Sequence, residues 1–275
     1  MSRRQTARLV RDGAVLLGLL VYAGPFFWQL LTSLKPEAEL MVLPPLWPSR
    51  LTWEHYQVVL ERSPMLRALG NSLGVGAITT ALSLGLGAAA AYGLARFPVP
   101  GKGALLLALI AGTAFPQIAT VSPLYLLVRA LDLRDTWLAL ILANTSFALP
   151  LVIWLLAGFL RDVPAELEEA AAVDGAGPVR AFRWVVLPLL APGLASCALL
   201  TFLLSWNEFL FAYTFTATEA SRTAPVALAL FPGVFEVPWG DIAAASMLAS
   251  LPPVALVVGL QRYLVRGLLA GALRE

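Results

Sequence analysis

The chain has 275 residues, of which 59% are hydrophobic and 13% charged, with 19 basic and 17 acidic residues giving a formal net charge of +2. Ordinary soluble domains run at about 45–50% apolar and about 25% charged, so a water-soluble core is excluded, and so small a positive charge gives no footing for nucleic-acid binding. A lone Cys197 and a lone His55 exclude a disulfide framework and a Cys/His-rich metal centre.

The charges bunch and leave six uncharged runs, Gly13 to Leu34, Ala68 to Ala95, Gly103 to Val128, Thr136 to Leu160, Trp184 to Asn207 and Ile242 to Gln261, of 22, 28, 26, 25, 24 and 20 residues. A helix crosses the ~30 Å hydrocarbon core with about 20 mostly apolar residues, so each run is long enough to span. The fold class is therefore an all-α membrane protein with six transmembrane helices in one domain over 1–275, spans falling at about 13–34, 69–95, 104–128, 137–160, 184–207 and 242–261.

The first run follows MSRRQTARLVRD, whose charge order resembles a signal peptide, but its apolar part exceeds the usual 7–15 residues, so it reads as an uncleaved span. With the N-terminus inside, inner segments hold 12 basic residues and outer segments 7, which places both termini in the cytoplasm. Trp137 and Trp184 begin spans, Trp206 ends one and Trp239 precedes another, as an interfacial belt requires, while Trp28 and Trp154 read as packing residues. The long first outer loop, Lys35 to Arg67, carries Pro44, Pro45 and Pro48, and its His55 is expected to be solvated. Pro25, Pro116, Pro123, Pro150, Pro252 and Pro253 fall inside spans, a pattern tolerated where neighbouring helices or a water-filled cavity satisfy the freed carbonyls, which favours a transporter over an anchor. TAPVALALFPGVF in the last outer loop is too short to span and is broken by Pro232 and Gly233, leaving either a surface or re-entrant segment or a packed outer loop.

Between spans 4 and 5 the sequence RDVPAELEEAAAVDGAGPVRAFRWVVLPLLAP predicts a short helix, a sharp turn and a second short helix over about 162–187. Asp162 is a plausible N-cap with Pro164 in the first turn, and Glu166, Glu168 and Glu169 lie near the positive end of the helix dipole. Val163, Leu167, Ala170 and Ala171 share one side, and Val179, Phe182, Val185 and Val186 form a second stripe. Gly175 is suited to the left-handed stop after Asp174, and Pro188 and Pro192 break the chain as it enters span 5. An amphipathic helix lying on the inner leaflet favours a basic polar face, whereas this one carries glutamates, so docking to a protein is the better reading.

Glu169-Ala170-Ala171, Gly175 after three intervening residues, and the pair Leu187-Pro188 resemble the EAA loop of ABC-importer permeases. The wording EAAAVDGA is similar to the carbohydrate branch of that family, as are Asn71 to Lys102, Gln117 to Thr136, WNEFLFAYTF and the terminal QRYLVRGLLAGALRE, so the likeness covers about the whole chain. VRGLLAGALRE and the span count resemble the G-type partner of the maltose system rather than the larger F-type, with Arg274 where the family usually has Lys.

The resemblance implies a transport subunit, not an enzyme, in the inner (cytoplasmic) membrane of a prokaryote. Its implied partners are a second permease subunit, a cytoplasmic ABC ATPase dimer that holds ATP and Mg, and an extracytoplasmic solute-binding protein that delivers a sugar. No cofactor is then expected on this chain. Glu169 would make polar contacts with the ATPase, Ala170 and Ala171 the close packing, and Asp174-Gly175 the bend, with Leu187-Pro188 closing the motif. The residues agree, since the chain contains no GxxxxGK[ST] phosphate loop and Gly101-Lys102-Gly103 lacks both the upstream glycines and the following Ser/Thr.

Gln117, Asn144, Thr145, Ser146, Asn207 and Glu208 are candidate lining residues, because polar groups in spans face the bundle interior or a cavity. The other reading for them is helix-to-helix hydrogen bonding or, for Asn207 and Glu208, the outer interface. Absence of charge at midspan suits a neutral solute such as a sugar, and Thr218 to Asp241 would face the solute-binding protein. A self-sufficient secondary carrier or channel for a small neutral solute is the alternative, but it would be expected to hold an ionisable coupling residue inside a span, and none of the six runs has one. A membrane-integral enzyme would need paired carboxylates, a His cluster or a Ser/Lys dyad, and the spans offer none.

Overall fold

The computed structural model describes residues 3–40, 46–231 and 237–272, and every regular element among them is helical. In chain order they are α1 (Arg3–Ser33), α2 (Glu37–Leu40), α3 (Glu54–Gln57) running into a π turn (Val58–Arg62), α4 (Met65–Arg96), α5 (Lys102–Thr113), α6 (Gln117–Ala130) and α7 (Trp137–Arg161). There follow α8 (Glu166–Val173), α9 (Pro178–Ala181), a π turn (Phe182–Val186), α10 (Leu187–Leu189), α11 (Ala191–Trp206), α12 (Leu210–Phe215), α13 (Ala224–Ala229) and α14 (Trp239–Ala272). Pro44, Pro45, the Pro232-Gly233 break and Arg274 lie outside the described residues.

Four of the expected spans are single helices long and apolar enough to cross a bilayer: Arg11–Ser33, Met65–Arg96, Trp137–Arg161 and Trp239–Arg262. Pro25, Pro150, Pro252 and Pro253 sit inside these helices without ending them. The other two spans differ from expectation. The run at 104–128 is not one helix, because α5 and α6 meet at 90°. Pro116 has no N–H to continue the ladder and disfavours helical backbone at Phe115, and Pro116 itself is extended at φ −63 and ψ 123. The run at 184–207 is bent by 76° between Pro178–Leu189 and Ala191–Trp206, so Trp184 belongs to the short segment before the bend and only α11 is the straight apolar helix. Pro188 lacks the N–H that would bond Trp184 and its ring crowds that carbonyl, and the wider π turn Phe182–Val186 falls at this mismatch.

The chain divides into two compact units, Met1–Leu66 with Leu228–Ser250, and Arg67–Ala227 with Leu251–Glu275. In the first unit His55 is only 4% exposed, which corrects its expected solvation. Its Nε2 lies 2.9 Å from the Lys35 carbonyl, which only accepts, so Nε2 donates, while Nδ1 lies 2.6 Å from a carboxylate oxygen of Asp241. A buried ring is tolerated when both nitrogens have partners. Gly240 makes room, since a Cβ there would overlap the His55 ring. Lys35 is buried with its Nζ 4.2 Å from the centre of the Trp28 ring. Burial pushes the Lys35 pKa down, against the opposing pull of Glu39.

The second unit is organised around α7, on which α5, α11 and α12 pack. Apolar attraction gives helices little reason to associate in lipid, so close packing through small residues matters more. A Cβ on Gly87 of α4 would come within 2.6 Å of Val152 on α7, and one on Gly193 of α11 within 2.8 Å of the Phe159 ring. Thr136 caps α7 by accepting from the Ala139 amide at 3.3 Å. The preceding Asp135, in left-handed backbone at φ 62, gathers the loop after α12. Its carboxylate accepts from the amides of Ala217 (2.8 Å) and Thr218 (3.1 Å) and from the hydroxyls of Thr218 and Ser221. Burial alone would raise its pKa, but these four donors outweigh it and hold the carboxyl well below its usual range. Of the two readings of TAPVALALFPGVF, the packed loop fits its described part, because Ala224, Val226 and Ala227 of α13 are buried and the Ala224 amide donates to Ser72 Oγ at 2.8 Å.

The tryptophans divide differently than expected. Trp184 and Trp239 are exposed, as a belt requires, but Trp206 is buried and stacked on Phe202, and Trp154 is exposed on the surface of α7 rather than packed.

Candidate functional site

The loop between α7 and α11 begins one turn later than expected. Asp162 is the C-cap of α7, and α8 starts at Glu166 behind Ala165, with no side-chain N-cap. Its C-terminus is built by Gly175, at φ 82. The Gly175 amide donates to the Ala172 carbonyl at 3.0 Å and the Ala176 amide to the Ala171 carbonyl at 2.9 Å, the paired bonds of a Schellman stop. Gly177 is extended and Pro178 opens α9, where its missing N–H is not needed.

The expected apolar stripe is divided. Val163 is buried in a core of α4, α7 and α11 residues, but Leu167 and Ala170 are exposed, and Val173 and Val179 are 89% and 78% exposed at the tip. In the second stripe Val186 is buried and Phe182 and Val185 are half-buried. What turns inward from α8 is an acid. Glu168 accepts from the Tyr92 hydroxyl at 2.7 Å and from Arg96 Nε at 2.5 Å, and Arg96 also donates to the Val163 carbonyl at 2.8 Å. Tyr92 in turn packs on Phe182, with ring centres 4.7 Å apart. Both segments of the loop are thereby fixed to the last turn of α4.

Away from this loop, a cavity of about 650 Å³ is lined by Gln117, Asn144, Asn207 and Glu208 together, among mostly apolar neighbours that include Phe147 and Phe209. Asn144 donates to Ser205 Oγ at 3.0 Å, a bond between α7 and α11, so it is both a helix-to-helix partner and a lining residue. Asn207 is exposed and donates to the Leu203 carbonyl. Glu208 caps α12, its carboxylate accepting from the amides of Phe211 (2.7 Å) and Ala212 (3.0 Å). Burial raises the Glu208 pKa, and these amides pull the other way. Thr145 and Ser146, also candidates, do not line the cavity, and Ser146 bonds the Ala143 carbonyl of its own helix.

Residues 81–270 match the family described as the binding-protein-dependent transport system inner membrane component. The chain belongs to this family. The permease is 43% identical over 275 residues, 99% of each chain, to the trehalose transport system permease protein SugB of Mycobacterium tuberculosis. It is 35% identical over 266 residues, 95% of each chain, to the trehalose/maltose transport system permease protein MalG of Thermococcus litoralis. Its fold resembles a chain in the crystal structure of a bacterial ABC transporter involved in alginate import, with a TM-score of 0.79 at 21% identity over 96% of this chain and 99% of that one. Like its relatives, the permease is a multi-pass transport component of the inner membrane rather than an enzyme.

In the permease the sequence-derived site residues fall into two groups. Glu169, Ala170, Asp174 and Gly175 are exposed on the α8 segment, Ala171 and Leu187 are half-buried, and Pro188 is exposed beside the π turn. Gln117, Asn144, Asn207 and Glu208 meet in the cavity. Sequence reasoning missed Tyr92, Arg96 and Glu168. A usable signal existed: a tyrosine one turn before the arginine that ends an uncharged run, and three glutamates in the later loop that could pair with that arginine.

Proposed function

We propose that the chain is one permease subunit of an ATP-driven carbohydrate importer. It has six spans, both termini in the cytoplasm and the α8 segment as its coupling helix. A solute-binding protein delivers the sugar on the outer side, a second permease subunit completes the pathway, and a cytoplasmic ATPase dimer holds ATP and Mg. Glu169, Ala170 and Ala171 meet the ATPase, with Gly175 fixing the bend and Leu187-Pro188 the return to the membrane.

The observation that carries this reading is an apolar tip, Val173 of α8 and Val179 of α9, held out in solvent on a loop whose α8 segment Tyr92 and Arg96 clamp to the end of α4. Exposed valines on a rigid mount suit a protein partner, and a mount fixed to a span lets ATP-driven movement reach the membrane. The carbohydrate assignment is supported by the substrates for which two relatives are named, trehalose for one and trehalose and maltose for the other. A cavity whose described polar lining is largely amides and hydroxyls offers both donors and acceptors to a neutral polyol.

Cysteine crosslinking tests the coupling assignment, because the native Cys197 is buried. Val173→Cys is expected to crosslink to the copurified ATPase, while Thr218→Cys on the outer side is not. Glu169→Lys is expected to insert normally, lose the ATPase and abolish uptake. Normal ATPase copurification and normal uptake in Glu169→Lys would overturn the assignment.

A further inference from the structure

We propose that the membrane face carrying the α7–α8 loop holds one anionic phospholipid, with its phosphate between Lys102 and Arg161 and an acyl chain in the groove beside Trp154. Three helix ends define the place. Arg96 closes α4, Lys102 opens α5 and Arg161 closes α7, so their side chains stand at headgroup level, and all three line one depression of about 260 Å³. Leu106, Ala157 and Arg161 are shared with a second depression of about 290 Å³, which continues along α7 past Trp154, Leu155 and Phe159.

Charge and shape together select the occupant. Arg96 is engaged by Glu168 and the Val163 carbonyl, which leaves exposed Lys102 and Arg161 as the cations facing a ligand. Asp162 shares the rim of the second depression, and Lys102 and Arg161 suit an anionic headgroup. Below the cations the wall is apolar, and Gly158 leaves a notch in it, with no atom within 4 Å of where its Cβ would be. Trp154, two turns before Arg161 on α7, is 46% exposed in this groove and offers a broad apolar ring to an acyl chain. A free phosphate would gain only the cations and leave this wall unfilled, whereas a phospholipid uses both. Basic pockets between helices at the membrane surface are established headgroup sites.

The test is native mass spectrometry of the full-length protein, in the assembly in which it purifies, with equimolar phosphatidylglycerol and phosphatidylcholine. One phosphatidylglycerol is expected to be retained preferentially. Lys102→Gln and Arg161→Gln should each weaken that retention about five-fold, the equivalent of about 1 kcal/mol per basic residue near the surface. Lys102→Arg should keep it, and Gly158→Leu, which fills the notch while leaving both cations, should lose it. Each variant is compared only where it elutes as a single species matching the parent, and the conservative Lys102→Arg supplies the folded reference. Equal retention of the two lipids, unchanged retention in Lys102→Gln or Gly158→Leu, or displacement by excess inorganic phosphate would each overturn the proposal, the last by pointing to a free-anion site.

Discussion

Tyr92 donates its hydroxyl to Glu168 at 2.7 Å, joining the last turn of α4 to a helix 76 positions later. Arg96 completes the clamp on the same carboxylate, and both charged side chains are less than one-fifth exposed. Glu168→Gln leaves the Arg96 charge without its counter-ion in a mostly buried place, a loss of about 2–3 kcal/mol. Tyr92→Phe removes one hydrogen bond and is expected to cost about 1 kcal/mol. Thermal unfolding in detergent should rank them wild type, Tyr92→Phe, Glu168→Gln. Wild-type melting in Glu168→Gln would show that the clamp holds nothing.

The stop at Gly175 makes a separate demand on the backbone. At φ 82 an alanine carries the left-handed penalty, about 1–2 kcal/mol, while asparagine tolerates that region better. Gly175→Ala should therefore lower uptake more than Gly175→Asn at equal membrane abundance. Equal uptake in the two variants would show that the turn conformation is not what matters there.

Asp135 is expected to give the loop after α12 a pH-dependent stability. Its folded carboxyl is held low, so its contribution is fully present above the unfolded value of about 3.9 and is lost as the pH falls below that toward the folded value. Asp135→Asn should lower the melting temperature at pH 7 and narrow its gap to wild type as the pH drops toward 3. A gap that stays constant across that range would remove the carboxylate from the explanation.

The cavity residues should separate by role. Asn207 is exposed and bonds only the carbonyl one turn back in the described structure, so Asn207→Ala should leave stability within about 0.5 kcal/mol of wild type. Its effect should appear in the sugar concentration for half-maximal uptake. Asn144→Ala breaks the bond to Ser205 and is expected to lower stability by about 1 kcal/mol as well. Paired melting and uptake curves decide this, and an Asn207→Ala variant with unaltered uptake would take that residue out of the pathway.

Gly240→Ala probes the other unit. Its methyl group would overlap the His55 ring, which Asp241 and the Lys35 carbonyl hold in place, so overpacking of about 1–3 kcal/mol is expected. Adding His55→Ala to Gly240→Ala should return part of that loss, which separates a steric effect from a backbone one in the same melting assay.

Much of this was legible in the sequence because membrane spans and glycine stops are local. Uncharged length located α1, α4, α7 and α14, and Gly175 as a left-handed stop located the end of α8. The bend between α5 and α6 was visible only as Pro116, and the apolar run around it gave no sign that two helices met there. His55 was misplaced because Asp241, its partner, lies 186 positions away, and no local pattern announces such a pairing. Glu168 looked like one of three equivalent glutamates, and only the position of α4 distinguishes it from its neighbours.

The right angle between α5 and α6 bears on how this protein is best probed. Thr113 ends one helix and Gln117 begins the next, and both border the cavity. Helix ends leave main-chain N–H and C=O groups without partners inside the helix, so on the proposed pathway this stretch of cavity wall would present backbone as well as side chains. Such groups are the same whatever side chain is attached. A scan of alanine substitutions would therefore leave that part of the cavity wall unchanged, and peptide-bond chemistry, through amide-to-ester replacement near Gln117, is the tool suited to testing its place in the proposed pathway.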